Sequence, residues 1–279
     1  MTDKNITTPD GFDSNLMQEK LNLLRAKLDG YDHLAVAFSG GVDSTFLTLV
    51  ASEVMGEDML AVTIAGPHVP PDEQEYTKRF CEDREIAHLI INMPSDLFET
   101  FADNPPDRCY ICKKGIFSYI KESLGEDIPV ADGTNADDAL DYRPGRKALK
   151  ELNIISPLEE VGFTKQEIRM ALKAMNVPIW NKPSAACLAS RIPYGERLTA
   201  EKMKTVYELE RFISQLGFPQ VRVRHHGKIA IVEVPPEDRD RFAQNYILYV
   251  VNERIKTAVF LYATMDMAGY VTGKLTDEL

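Results

Sequence analysis

No apolar run in this 279-residue chain approaches the ~18 residues that cross a bilayer, so no transmembrane segment is expected. Residues 1–12 are polar and acidic and hold no apolar leader core, which argues against secretion and for a cytoplasmic protein. Positive charge is scarce: 32 Lys and Arg face 43 Asp and Glu, a net charge of −11. A broad nucleic-acid surface needs a basic footprint, and that balance argues against one. A small anionic ligand in a local basic pocket is still compatible with it. Cysteine is sparse, four residues in all, too few for a disulfide scaffold. Internal repeats and low-complexity tracts are absent. The remaining composition, 44% apolar and 27% charged, is that of an ordinary globular chain with length for one large domain or two smaller ones.

One short stretch organises what is present. The apolar run His33–Phe38 has the length and composition of a buried parallel strand. It breaks at Gly40 and Gly41 and passes into an apolar-periodic segment, Thr45–Val54, that reads as a helix. Strand, glycine turn and helix N-terminus together form an anion site, because glycine lets the backbone approach a ligand and the helix dipole favours negative charge. Ser39, Ser44 and Thr45 add hydroxyl donors, and Asp43 is suited to a magnesium ion. The Walker A pattern is absent. Ser39-Gly40-Gly41-Val42-Asp43-Ser44 resembles, position by position, the PP-loop of ATP pyrophosphatases, which cleave ATP to AMP and pyrophosphate while adenylating a substrate.

Along the chain, apolar Leu16, Leu21, Leu24 and Leu28 mark a helical stripe. Strands are expected at Met59–Ala65, Ala87–Ile91 and Ile128–Ala131. A helix opens at Pro70-Pro71-Asp72-Glu73, another follows Cys109-Tyr110-Ile111-Cys112, and a capping box, Thr164 to Glu167, starts a third. Cys81 sits in a helical pattern and reads as a small core residue. Alternating strands and helices predict an α/β fold with a doubly wound parallel sheet and a ligand at the strand C-termini. The polar loop Asp132–Asp138, with Gly133 and Asp138, then faces the nucleotide crevice or is a solvated acidic turn. From Thr199 the pattern changes to helix, hairpin around Gly227-Lys228, helical region and a closing strand at Val259–Ala263. Residues 1–195 are expected to form the nucleotide domain, and 196–279 a small α/β domain.

Three further pieces narrow the resemblance. They are Gly133–Asp138 with Tyr142-Arg143-Pro144-Gly145, the segment Lys182–Arg191 with Cys187, and the small C-terminal domain. Together they resemble the LarE family of ATP-dependent sulfur transferases. The resemblance implies adenylation of a carboxylate of pyridinium-3,5-biscarboxylic acid mononucleotide and its conversion to a thiocarboxylate, on the way to the nickel-pincer nucleotide cofactor. In some members the cysteine matching Cys187 gives up its own sulfur and becomes dehydroalanine. Others add a C-x-x-C pair and bind a 4Fe–4S cluster through three cysteines, and Cys109, Cys112 and Cys187 match that type. The resemblance implies ATP and Mg2+ as cofactors, an unidentified sulfide source, a small-molecule nucleotide substrate and a homo-oligomer such as a hexamer.

The chemistry fits these residue types. A carboxylate is a poor electrophile, adenylation makes AMP the leaving group, and a thiolate flanked by positive charge is a good nucleophile. Cys187, Asp43 and Arg191 are the catalytic candidates. Arg143, Lys182, Ser190, Arg191 and Arg197 flank the specific motifs as candidates to hold phosphate or carboxylate. Arg222, Arg224 and His226 share one strand face, and Val221, Val223 and His225 the other. The arginine face either holds the substrate phosphate, with subunits joined, or is plain solvated surface. C-Y-I-C is open to a cluster, a redox pair or part of a zinc site. Competing functions are a tRNA thiolase, disfavoured by acidity; an amide-forming synthetase, which leaves three cysteines unexplained; and a non-catalytic nucleotide binder.

Overall fold

A computed structural model describes residues 14–125, 127–139, 145–183 and 186–271. The chain divides into two compact units that are not contiguous in sequence. The first takes the described parts of Met1–Ala65, Pro71–Leu97 and Cys109–Ala185. The second takes Gly66–Pro70, Phe98–Arg108 and the described part of Ala186–Leu279.

The first unit is α/β, as the alternating pattern predicts. Strands β1 (Leu34–Ala37), β2 (Met59–Ala65), β3 (His88–Asn92) and β4 (Val130–Ala131) form a parallel sheet in the order β3-β2-β1-β4. Its longer helices are α1 (Ser14–Leu28), α2 (Val42–Met55), α3 (Pro71–Glu82), α4 (Arg108–Leu124) and α5 (Lys165–Ala174). Alternation along β1 divides the core. Leu34, Val36 and Phe38 pack on one side with Leu24, Phe46 and Leu172, whereas Ala35 packs on the other with Val62, Phe117 and Ile120. Apolar contact on both faces is what a doubly wound parallel sheet requires. Because β1 lies between β2 and β4, the order reverses there, and the loops after β1 and β4 flank the switch point where such sheets bind ligands.

The second unit pairs α6 (Ala200–Gln215) and α7 (Asn245–Lys256) with a small sheet, β5 (Arg222–His226), β6 (Ile229–Glu233) and β7 (Tyr262–Met265). The hairpin at Gly227-Lys228 is present, with β5 and β6 antiparallel and β7 parallel to β6. The closing strand begins at Tyr262, three residues beyond its expected start at Val259, and Phe260 just before it is buried in the core. No helix of the described residues is long and apolar enough to cross a membrane.

Candidate functional site

The turn after β1 owes its shape to Gly40. Gly40 has φ of +72°, a left-handed conformation that side chains resist, and a Cβ there would lie 3.1 Å from both Glu73 Oε2 and Thr77 Cγ2. Gly41 is the extended residue before α2 and makes no side-chain cap. The first N–H groups of a helix lack intrahelical partners, so an uncapped start presents them to an anion. Ser44 Oγ donates to the Gly41 carbonyl at 3.2 Å and lies 3.0 Å from Ser39 Oγ, which ties the turn to itself. Ser39 is exposed, Val42 and Thr45 are buried. The helix therefore begins earlier than periodicity predicts, at Val42, and takes in Asp43 and Ser44.

Two other segments of the first unit close on this turn. The loop after β4 approaches so tightly that a Cβ on Gly133 would sit 2.8 Å from the Ser44 nitrogen. Buried Asp132 holds that loop by accepting from Thr134 Oγ1 (2.6 Å) and Ser156 Oγ (2.7 Å). Asp138 accepts from the Asn135 nitrogen at 3.1 Å, and Asp137 from the Lys165 nitrogen at 2.8 Å. Helix α5 begins there with the expected capping box, both of its bonds formed. Glu167 of that box also pairs with Lys20 of α1.

Lys165 is the residue that sequence reasoning missed. Its ammonium lies 2.5 Å from Asp43 Oδ2. The only signal was its place inside the capping box, which speaks of helix initiation and not of a ligand. Burial pushes the Asp43 carboxyl above the usual range; Lys165 pulls it back, Asp138 raises it further and Asn135 lowers it. Asp43 Oδ1 is buried without a hydrogen bond of standard geometry. A hard oxygen donor with that unmet capacity, at an uncapped helix start, is of the chemistry that fits a magnesium ion. Lys182 donates to the Gly40 carbonyl at 3.1 Å and pairs with Glu73 of α3. It holds the glycine turn, and Arg169 in turn holds the Lys182 carbonyl at 2.7 Å.

Cys187 belongs to the second unit. It is exposed and stands at the N-cap of a short 3-10 turn, Leu188–Arg191. Its carbonyl accepts from the Ser190 nitrogen (2.9 Å), Ser190 Oγ (2.7 Å) and Arg191 Nη1 (3.1 Å). Arg191 is only 3% exposed, forms a two-point pair with Glu210 at 2.9 and 3.0 Å, and reaches the Ala186 carbonyl at 2.6 Å. The structure thus places Arg191 beneath the Cys187 backbone.

The arginine strand face is not plain solvated surface. Arg224 donates to the Ser190 carbonyl and to Glu233, each at 2.7 Å. Arg222, 9% exposed, lies over the Tyr270 ring, and burial and then Arg191 lower its pKa. Three guanidiniums beside two carboxylates leave an excess of positive charge. Arg197 is exposed and pairs with Glu99 and Asp103. Arg143 lies outside the described residues.

Cys109 and Cys112 occupy the first turn of α4, three residues apart on one helix face, the former exposed and the latter half-buried. Thiols in that spacing suit two ligand positions of a cluster. Among the described residues no group of three His, Cys, Asp or Glu gathers as a metal site. Cys81 is buried, and burial pushes its thiol up to about 12, in keeping with an inert core residue.

No protein-family profile matches the chain. It is 37% identical, over 95% of its length and 99% of the relative's, to an uncharacterized protein of Synechocystis sp.. It is 31% identical, over 95% of its length and 96% of the relative's, to a pyridinium-3,5-bisthiocarboxylic acid mononucleotide synthase of Lactiplantibacillus plantarum. At 29% identity, over 88% of the chain and 86% of the relative, it is also similar to one component of the glutamine-hydrolysing GMP synthase of Thermoplasma volcanium.

Proposed function

Because the chain belongs to the LarE family of pyridinium-3,5-bisthiocarboxylic acid mononucleotide synthases, we propose that it is an ATP-dependent sulfur transferase acting on the dicarboxylate nucleotide in nickel-pincer cofactor synthesis. The observation that carries this reading is the turn after β1. An uncapped helix start, two space-limited glycines and the Asp43–Lys165 pair converge within one unit. In this reading the Gly40–Ser44 backbone binds the ATP phosphates, and Asp43 Oδ1 takes a magnesium ion. Lys165 leaves Asp43 to face the phosphates. A substrate carboxylate oxygen attacks the α-phosphorus, the bond to the β-phosphate oxygen breaks, and pyrophosphate leaves.

The mixed anhydride so formed loses AMP to a sulfur nucleophile. Where Cys187 Sγ is that nucleophile, a thioester forms, the Cβ–Sγ bond then breaks with loss of the α-proton, and dehydroalanine remains at position 187. Cys109, Cys112 and Cys187 would be the residues to hold a 4Fe–4S cluster, which would supply sulfide in place of the cysteine's own sulfur. Arg222 and Arg224 have the charge excess to hold the substrate phosphate, and self-association is assigned to the second unit. The likeness to GMP synthase supports ATP use in this reading; an amide-forming enzyme has no use for the exposed Cys187 thiol.

The test supplies protein, Mg-ATP, sulfide and pyridinium-3,5-biscarboxylic acid mononucleotide under anaerobic conditions. Pyrophosphate release that depends on the nucleotide, with sulfur replacing oxygen in the product mass, is expected. Release indifferent to the nucleotide, or an amide product with ammonia, overturns the reading.

A further inference from the structure

The second unit contains two pieces far from it in sequence, Gly66–Pro70 and Phe98–Arg108, and both end on the Cys187 turn. The His68 carbonyl accepts from the Leu188 nitrogen at 3.0 Å. The second piece does more. Asn104 Nδ2 donates to the carbonyls of Ile192 (3.1 Å) and Pro193 (2.6 Å), while its Oδ1 accepts from Arg108 Nη1 at 2.5 Å. The same Arg108 nitrogen donates to the Ala189 carbonyl at 3.1 Å. Asn104 also accepts from the Gly195 nitrogen through its own carbonyl at 2.9 Å, and the Tyr194 ring lies against the Arg108 guanidinium.

From these contacts we propose that Asn104 and Arg108 are positioning residues for sulfur transfer, a clamp that fixes the backbone carrying Cys187. The proposal rests on the reading of Cys187 as the sulfur-bearing residue. Asn104 is fully buried, and both its amide hydrogens and its oxygen are in use. It is also held at φ of +56°, a left-handed conformation that Asn tolerates and that persists where surrounding bonds over-determine it. Arg108 is 4% exposed, so a desolvated charge is committed to neighbouring polar groups. A surface turn that needed only to be folded has no need of a buried arginine and an asparagine serving carbonyls of Ala189, Ile192 and Pro193. A thiol that must meet an acyl adenylate does, because reacting groups tolerate little misplacement.

Asn104→Asp keeps the size, the left-handed tolerance and the acceptor for Arg108, but loses both amide donors. Arg108→Lys keeps the charge but replaces the planar guanidinium fork with one donor nitrogen. In each variant, backbone hydrogen exchange across residues 188–195 and two rates on the full-length protein are measured: nucleotide-dependent pyrophosphate release and single-turnover sulfur transfer. Exchange in Asn104→Asp should quicken about tenfold, as for the loss of a buried hydrogen bond. Sulfur transfer should slow by about tenfold or more while pyrophosphate release stays within about twofold of wild type. Arg108→Lys should fall between wild type and Asn104→Asp in both readouts. A purely structural role would lower both rates together with the melting temperature, and that result overturns the proposal. Unchanged exchange in both variants overturns it equally. Absence of nucleotide-dependent pyrophosphate release in the wild type refutes the functional reading instead, and exchange then judges the clamp by itself.

Discussion

In the first unit the glycine turn follows a strand, starts a helix and takes its shape chiefly from close backbone approach, with Gly40 turned left-handed and Gly133 pressed against Ser44. In the second unit the Cys187 segment follows no strand and is shaped by side chains. Arg191, Arg108, Asn104 and Arg224 each donate to its carbonyls. Backbone-shaped turns of the first kind tolerate change around them, because their form rests on groups every residue has. Side-chain sites of the second kind fail when one donor is removed, since a buried carbonyl then loses its partner. The contrast also separates two chemical duties. In the proposed function, phosphate charge would meet the N–H groups of the helix start in the first unit, and Cys187 would act as the nucleophile in the second.

Several substitutions set one unit against the other. Cys187→Ala should abolish sulfur transfer while nucleotide-dependent pyrophosphate release persists; loss of both steps would erase the division of labour. Asp43→Asn should cut ATP turnover by about a hundredfold or more through loss of the metal-binding carboxylate. Because burial disfavours the Asp43 charge, its melting temperature at neutral pH should not fall. A clear drop would show that the Lys165 pair stabilises the unit more than desolvation costs. Lys165→Ala should slow turnover about tenfold, a smaller effect. Lys165 lowers the Asp43 pKa, so its removal raises that pKa further, and the acid limb of the pH–rate profile should move to higher pH.

The mildest test concerns stability. Burial lowers the His68 pKa from 6.5 to about 4, and its Nδ1 has no hydrogen-bond partner among the described residues. The unfolded chain therefore binds a proton below pH 6.5 that the folded chain refuses until about pH 4. Stability falls as pH drops through that window, by up to about 3 kcal/mol. Urea titrations of wild type and His68→Gln at pH 7 and pH 4.5 should show a shallower loss in the variant. Parallel losses would place the acid sensitivity elsewhere.

What could be read from sequence follows the same division. The strand, the glycines and Asp43 stand in one contiguous run, and the period of the flanking residues places them at a strand end, so this strand–turn–helix was legible nearly whole. Lys165 was not, because it reaches Asp43 across 122 residues and its local pattern already had an explanation as a helix cap. The Cys187 turn was legible as a place and not as a construction. Asn104 bonds carbonyls 88 and 89 residues away, and backbone carbonyls carry no sequence signature. The arginine face of β5 was correctly paired by alternation, yet its partners Ser190, Glu233 and Tyr270 are ones periodicity cannot bring together.

The bond from Lys182 to the Gly40 carbonyl spans 142 residues, and this has a consequence for the order in which the protein is made. As the chain leaves the ribosome, β1, β2 and β3 can pair early, for they lie within the first third of the sequence. The strand on the other side of β1 arrives only with Val130, and the lysine that props the glycine turn later still. Long-range parallel pairing of this kind is slow and leaves sheet edges open in the interim. A nascent chain therefore displays the Ser39–Ser44 motif complete in sequence well before the turn has its partners, and a fragment ending short of Lys182 keeps the motif without its prop.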